Sequence, residues 1–139
     1  MNDLDVKLVQ TSFGKLAPKG DEVGRLFYAE LFAAHPELRP MFAADIAPQA
    51  KRLTKMLTFV VKHLDKLPTI LPAVQSLALR HQGYGVTEAH YAMVGTALIG
   101  SLESGLGEDF TPQVRQAWTA VYTVLAGTMM ATARSRTAA

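Results

Sequence analysis

The chain has 139 residues, 49% of them apolar and 19% charged, with no cysteine and a formal net charge of +2. That length and apolar content suit one globular domain, residues 1–139, with a core of its own, and exclude a disordered chain. The missing cysteines exclude disulfides and thiol chemistry, and the scattered basic excess contains no dense block suited to nucleic acid.

Taken in order, the segments read as helices between clear breakers. Met1-Asn2-Asp3-Leu4-Asp5 is acidic and polar, unlike a secretory leader. A first helix runs from Asp3 to Leu16, with Val6, Val9, Phe13 and Leu16 on one side, and Ala17-Pro18-Lys19-Gly20-Asp21 breaks it. A second runs from Glu22 to Ala34, and His35-Pro36 starts a short helical turn ending at Phe42. Ala43 to Ala47 reads as loop. Pro48 suits the first turn of a long helix reaching Asp65. Leu67 to His81 carries the next helix, Glu88 to Ser104 another, and Thr111-Pro112 opens the last, which runs to Ala133 before a tail, Arg134 to Ala139, expected to fray. Strand signals are missing, and so is any run of about 18 to 20 apolar residues. The expectation is therefore an all-α, soluble, cytoplasmic protein that spans no membrane.

His81 ends an apolar helical run and is followed by the short loop Gln82-Gly83-Tyr84-Gly85-Val86. With only four histidines and no cysteine in the chain, a lone imidazole there is a poor structural zinc ligand, since closed zinc sites take four N or S donors. It is a good single axial ligand for a haem iron. Gln49 and Leu53 lie one turn apart on a face continued by Met56, Leu57, Val60 and Leu64. A polar Gln49 at the head of that stripe is misplaced unless something polar sits opposite. Gly24, one turn before Tyr28, and small Ala50, next to Gln49, would let two helix backbones approach and bring Tyr28 near Gln49.

Several segments, in order and at matching spacings, resemble one family. They are Leu26-Phe27-Tyr28-Ala29-Glu30-Leu31-Phe32, His35-Pro36-Glu37-Leu38-Arg39-Pro40-Met41-Phe42, Arg80-His81-Gln82-Gly83-Tyr84-Gly85-Val86, Leu106-Gly107-Glu108-Asp109-Phe110-Thr111-Pro112 and Ala117-Trp118-Thr119-Ala120-Val121-Tyr122. From about Leu4 to Met130 the chain resembles the globins, above all bacterial single-domain haemoglobins, the haem domain of flavohaemoglobins, and neuroglobin. The resemblance implies about seven helices in a 3-over-3 globin fold around haem b. It implies His81 as proximal iron ligand, Phe42 stacked on the haem, Tyr28 and Gln49 facing the gas ligand, and Leu53 as the apolar residue above the iron. On the proximal side it implies Leu77 packed beneath the macrocycle, with Val86 and Tyr91 beside it. In flavohaemoglobins the tyrosine matching Tyr91 works with a glutamate on the last helix. Here the aligned position is Ala133, which puts strongly activating chemistry in doubt and favours reversible binding.

The implied function is binding of oxygen, carbon monoxide or nitric oxide, oxygen first, as a monomer or weak homodimer. Nitric oxide dioxygenation would draw electrons from a separate reductase. A gas sensor and a haemless globin-like interaction module are the alternatives. The remaining residues have plainer readings. His35 and His90 belong to helix starts, while Trp118, Tyr122 and Met56 are core. Lys51, Arg52 and Lys55 are expected either at the haem edge, where one of them would pair with a propionate, or on a solvated face. His63 lies nearly four turns beyond Gln49, about 21 Å along the helix at 1.5 Å per residue, too far to reach the same iron.

Overall fold

Most of the breakers in the sequence lie at helix boundaries, although Pro72 falls inside a helix. The computed structural model describes residues 1–138. Six α-helices occur among them: α1 (Asp3–Leu16), α2 (Gly20–Ala34), α3 (Ala47–Lys62), α4 (Leu67–Gly83), α5 (Glu88–Leu106) and α6 (Pro112–Ala138). The seventh expected segment is a 3₁₀ turn, Pro36–Met41, and three shorter 3₁₀ turns cover Ala17–Lys19, Leu64–Lys66 and Gly107–Asp109.

Local chemistry sets the ends. Asn2 and Asp5 form a capping box that satisfies two orphan amides of α1. Pro48 occupies the first turn of α3, where its missing N–H costs nothing. Thr111 Oγ1 accepts the Val114 amide at 3.2 Å and caps α6. Five boundaries differ from the expectation, two of them by short extensions: α4 runs to Gly83 and α5 to Leu106, each two residues past the expected His81 and Ser104. α2 starts at Gly20, because Ala17–Lys19 is a 3₁₀ turn and not a full break. α3 stops at Lys62, with His63 in a non-helical cap and Leu64–Lys66 turning into α4. α6 continues past Ala133 to Ala138. Its last turns are rich in alanine and arginine, good helix formers with no stop signal, and Arg134 pairs with Glu88 of α5. Ala139 lies outside the described residues.

Among the described residues the core is apolar except at Ser12 and Ser101. Val9, Leu31, Leu102 and Ala117 are essentially inaccessible, and buried Trp118 donates its indole N–H to Ser12 Oγ at 2.9 Å. That bond ties α6 to α1 and leaves neither buried polar group unpaired. Packing is heaviest between α1 and α6, α2 and α5, α4 and α6, and α2 and α3. Among the described residues, α3, α4 and α5 have at most marginal contact with one another. Each nevertheless carries half-buried apolar side chains: Leu53, Met56 and Leu57 on α3, Leu77 on α4, and Tyr91, Met93 and Val94 on α5. No helix of the described residues is long and apolar enough to cross a membrane.

Candidate functional site

The α2–α3 crossing builds one side of the site. A Cβ at Gly24 would fall 2.8 Å from the Ala50 carbonyl oxygen and 3.1 Å from the Ala50 Cβ, so only glycine permits this approach. Thr54 Oγ1 braces the same junction, 3.0 Å from both the Gly20 and Ala50 carbonyls. One turn along α2, Tyr28 is buried, and Gln49 Nε2 donates to its Oη at 3.2 Å. Arg52 Nη2 in turn donates to Gln49 Oε1 at 2.8 Å. Since Tyr28 Oη accepts from Gln49, its own proton is left to be donated elsewhere. Burial pushes the phenol pKa up, against the opposing effects of the Gln49 hydrogen bond and the Arg52 charge, so the group stays a donor at neutral pH.

Tyr28 sits in an aromatic cluster, with ring centroids 4.8 Å from Phe27, 5.9 Å from Phe32 and 5.4 Å from Phe42. Phe42 leaves the Pro36–Met41 turn in an extended conformation. Arg39 pins that exit: it donates to the carbonyls of Phe42, Ala43 and Ala44 and lies over the Phe32 ring. Half-buried Leu53 follows Gln49 by one turn and, with Phe27, Leu57 and Leu98, lines a small apolar cavity at the α2–α3 crossing beside Gly24.

The other side belongs to α4. His81 is half-buried, and its Nδ1 lies 2.9 Å from the Leu77 carbonyl one turn back. That carbonyl can only accept, so Nδ1 carries the proton and Nε2 keeps its lone pair for a metal. Burial holds the imidazole pKa below its usual value, with the Leu77 hydrogen bond opposing and the nearby Arg80 charge adding to the lowering. After α4 the chain turns through Gly85 at φ +87°, a left-handed conformation that favours glycine, and the Val86 amide returns to the His81 carbonyl at 3.1 Å. Gln82 Nε2 donates to the Ala133 carbonyl at 3.2 Å and fastens the end of α4 to α6. Tyr91 is half-buried on α5; its carbonyl accepts from Tyr122 Oη at 2.6 Å, and burial raises the pKa of both phenols.

The structure thus places Gln49 and Phe42 each in direct contact with Tyr28, and links His81 to Leu77 and Val86. Among the described residues, no hydrogen bond joins the two groups directly. Three contributors escaped the sequence reading. Arg39 and Gln82 act on backbone carbonyls, Arg39 on those of Phe42 to Ala44 and Gln82 on that of Ala133, and no side-chain pattern marks such acceptors. Arg52 had a signal, since it stands three residues after Gln49 on one helix, but its charge suggested solvent or a propionate. His63 takes no part in either group: its Nδ1 meets the Phe59 carbonyl at 2.8 Å. His90 Nδ1 accepts the Thr87 amide at the start of α5.

The residues present fit a haem. One imidazole offers a free Nε2, half-buried apolar side chains stand on three helices that scarcely pack on each other, and a buried phenol keeps a proton to donate.

Comparison with known proteins agrees with this arrangement. The chain is 32% identical over 135 residues to a Flavohemoprotein of Bordetella parapertussis, covering 95% of this chain and 34% of that one. It therefore spans about a third of that relative's length. It is 28% identical to the Neuroglobin of Danio rerio over 143 residues, covering 93% of this chain and 90% of that one. The structure of a bacterial globin from Campylobacter jejuni superposes with a TM-score of 0.88, at 21% identity, covering 99% and 100% of the two chains, and shares its all-α fold. The Globin family model matches residues 25–129, a span that holds Tyr28, Gln49, the Phe42 turn and the His81 helix alike, and the chain belongs to the globin family.

Proposed function

We propose that this globin holds haem b through His81 Nε2 and reversibly binds a diatomic gas, oxygen first, beside Tyr28 and Gln49. Haem, when bound, supplies the iron that takes and polarises the gas. The chain's own residues do the rest. The Leu77 carbonyl fixes the tautomer and rotation of the His81 ring. Phe42 and Leu77 offer apolar surface to the macrocycle, and Leu53 keeps water from the space beside Tyr28. The observation that carries the reading is the bond from Gln49 Nε2 to Tyr28 Oη, which leaves the phenolic proton for a polarised oxygen atom. Oxygen accepts such a bond well and carbon monoxide poorly, so the pair discriminates between them.

The partner of His81 Nδ1 decides between storage and activation. A carboxylate there would make the imidazole strongly basic and push electrons toward the ligand; a backbone carbonyl is neutral and pushes less. Reversible binding is accordingly the leading reading. The likeness to the Bordetella Flavohemoprotein supports a second one, in which nitric oxide, dioxygen and one electron give nitrate and a reductase supplies the electron. In both readings residues 1–139 act as a single domain.

The test is the visible spectrum of the purified protein with rapid-mixing kinetics. A Soret band that shifts with carbon monoxide, and an oxygen off-rate that rises in Tyr28→Phe, are expected. A protein that takes up no haem would overturn the reading in favour of an interaction module.

A further inference from the structure

We propose that Arg52 is a positioning residue for the gas site: its guanidinium sets the orientation of the Gln49 amide and so commits the Tyr28 proton to the ligand. The inference rests on the gas-binding reading above and deepens it.

A glutamine amide can face a phenol in two ways. With its NH₂ toward Tyr28 it donates, and the phenol keeps its proton for another acceptor. With its carbonyl toward Tyr28 it accepts, and the phenol spends its proton on Gln49. The two ends are nearly the same size, so shape chooses poorly between them. Arg52 chooses chemically. A guanidinium has five donors and no acceptor, so the atom of Gln49 lying 2.8 Å from Arg52 Nη2 must be Oε1. Nε2 is then the atom 3.2 Å from Tyr28 Oη. The result is a one-way chain of donors, Arg52 to Gln49 to Tyr28 to ligand, and each bond polarises the next.

The surroundings favour this task. Arg52 is three residues from Gln49 on α3, so helix geometry alone keeps the two side chains adjacent. Among the described residues, no protein carboxylate lies within ion-pair distance of Arg52. The bond it makes is charge-assisted and hence stronger than a neutral one. Arg52 itself is exposed, so replacing it leaves no cavity.

The experiment uses the haem-loaded chain as wild type, Arg52→Met, Arg52→Lys, Gln49→Leu and the Gln49→Leu/Arg52→Met pair. Oxygen dissociation is followed by rapid mixing, and the infrared stretch of carbon monoxide on the ferrous protein reports the orientation of nearby dipoles. Arg52→Met should speed oxygen release about fivefold, the worth of roughly one net hydrogen bond, and split the infrared band as the amide takes both orientations. Arg52→Lys, another pure donor, should restore a single band and most of the rate. In the Gln49→Leu background, Arg52→Met should change nothing further. A full Arg52→Met effect in that background would overturn the proposal, because Arg52 would then act without the amide. So would a single unshifted band and unchanged rate in Arg52→Met alone. If Tyr28→Phe also leaves oxygen release unchanged, the gas-site reading itself has failed; if Tyr28→Phe speeds release while Arg52→Met does not, only the role of Arg52 falls.

Discussion

Gln49 Nε2 lies 3.2 Å from Tyr28 Oη because the backbone of Ala50 sits where a side chain at position 24 would have to be. The polar pair is therefore a product of helix packing: one glycine sets the distance between two helices, and that distance sets the hydrogen bond. Tyr28→Phe keeps the ring and removes the donor. Oxygen dissociation should rise at least several-fold, about the factor that 1 to 1.5 kcal/mol provides, while carbon monoxide release changes little. Rapid-mixing ligand replacement measures both; an unchanged oxygen off-rate would remove Tyr28 from the mechanism.

Gly24→Val tests the packing that underlies the pair. Its branched side chain would press on the Ala50 carbonyl and Thr54, so α2 and α3 must separate. A loss of about 1–3 kcal/mol in chemical denaturation is expected, as for other overpacked interfaces. Oxygen release should accelerate alongside it, because Tyr28 and Gln49 move apart. Retained stability with a normal off-rate would show that the close approach is dispensable.

The positions on regular helix faces were legible in the sequence. Tyr28, Gln49, Gly24 and Ala50 follow from helical spacing and side-chain size, and the structure joins them as that spacing requires. His81 at the end of an apolar run was equally readable. The partners of these residues were not. The Leu77 carbonyl, the Ala133 carbonyl that receives Gln82, and the three carbonyls held by Arg39 are backbone groups, and every residue has one. Only the fold says which is within reach. Helix ends drifted for a related reason: the stop after Lys62 and the extension of α6 depend on local turn geometry and on the Arg134–Glu88 pair.

The pH response follows from burial of His81, which lowers its imidazole pKa below the ordinary value of about 6.5. Below that value the unfolded chain binds a proton at His81 before the folded chain does. Stability of the haem-free protein should therefore fall as pH drops through the unfolded pKa toward the lower folded one, and this contribution should be flat above it. Denaturation midpoints of wild type and His81→Gln between pH 5 and 8 measure the difference. His81→Gln should lose the slope due to this group, and identical slopes would contradict the assignment.

His63 offers a control. Its ring sits 4.7 Å from Phe59 and its Nδ1 is bound to the Phe59 carbonyl at the end of α3. His63→Ala should leave the haem spectrum and spin state unchanged in both oxidation states. A shift toward a different coordination would mean that this histidine reaches the iron.

The central claim is a bond from His81 Nε2 to iron, and the most direct measurement is the ferrous and carbon monoxide spectrum of His81→Gly beside wild type, without and with added imidazole. Wild type should show a Soret band that moves on adding carbon monoxide. The variant should lose the five-coordinate ferrous signature and regain it when free imidazole fills the space. A wild-type protein that stays colourless with ample porphyrin, or a variant whose ligation is unaltered without imidazole, would contradict the account.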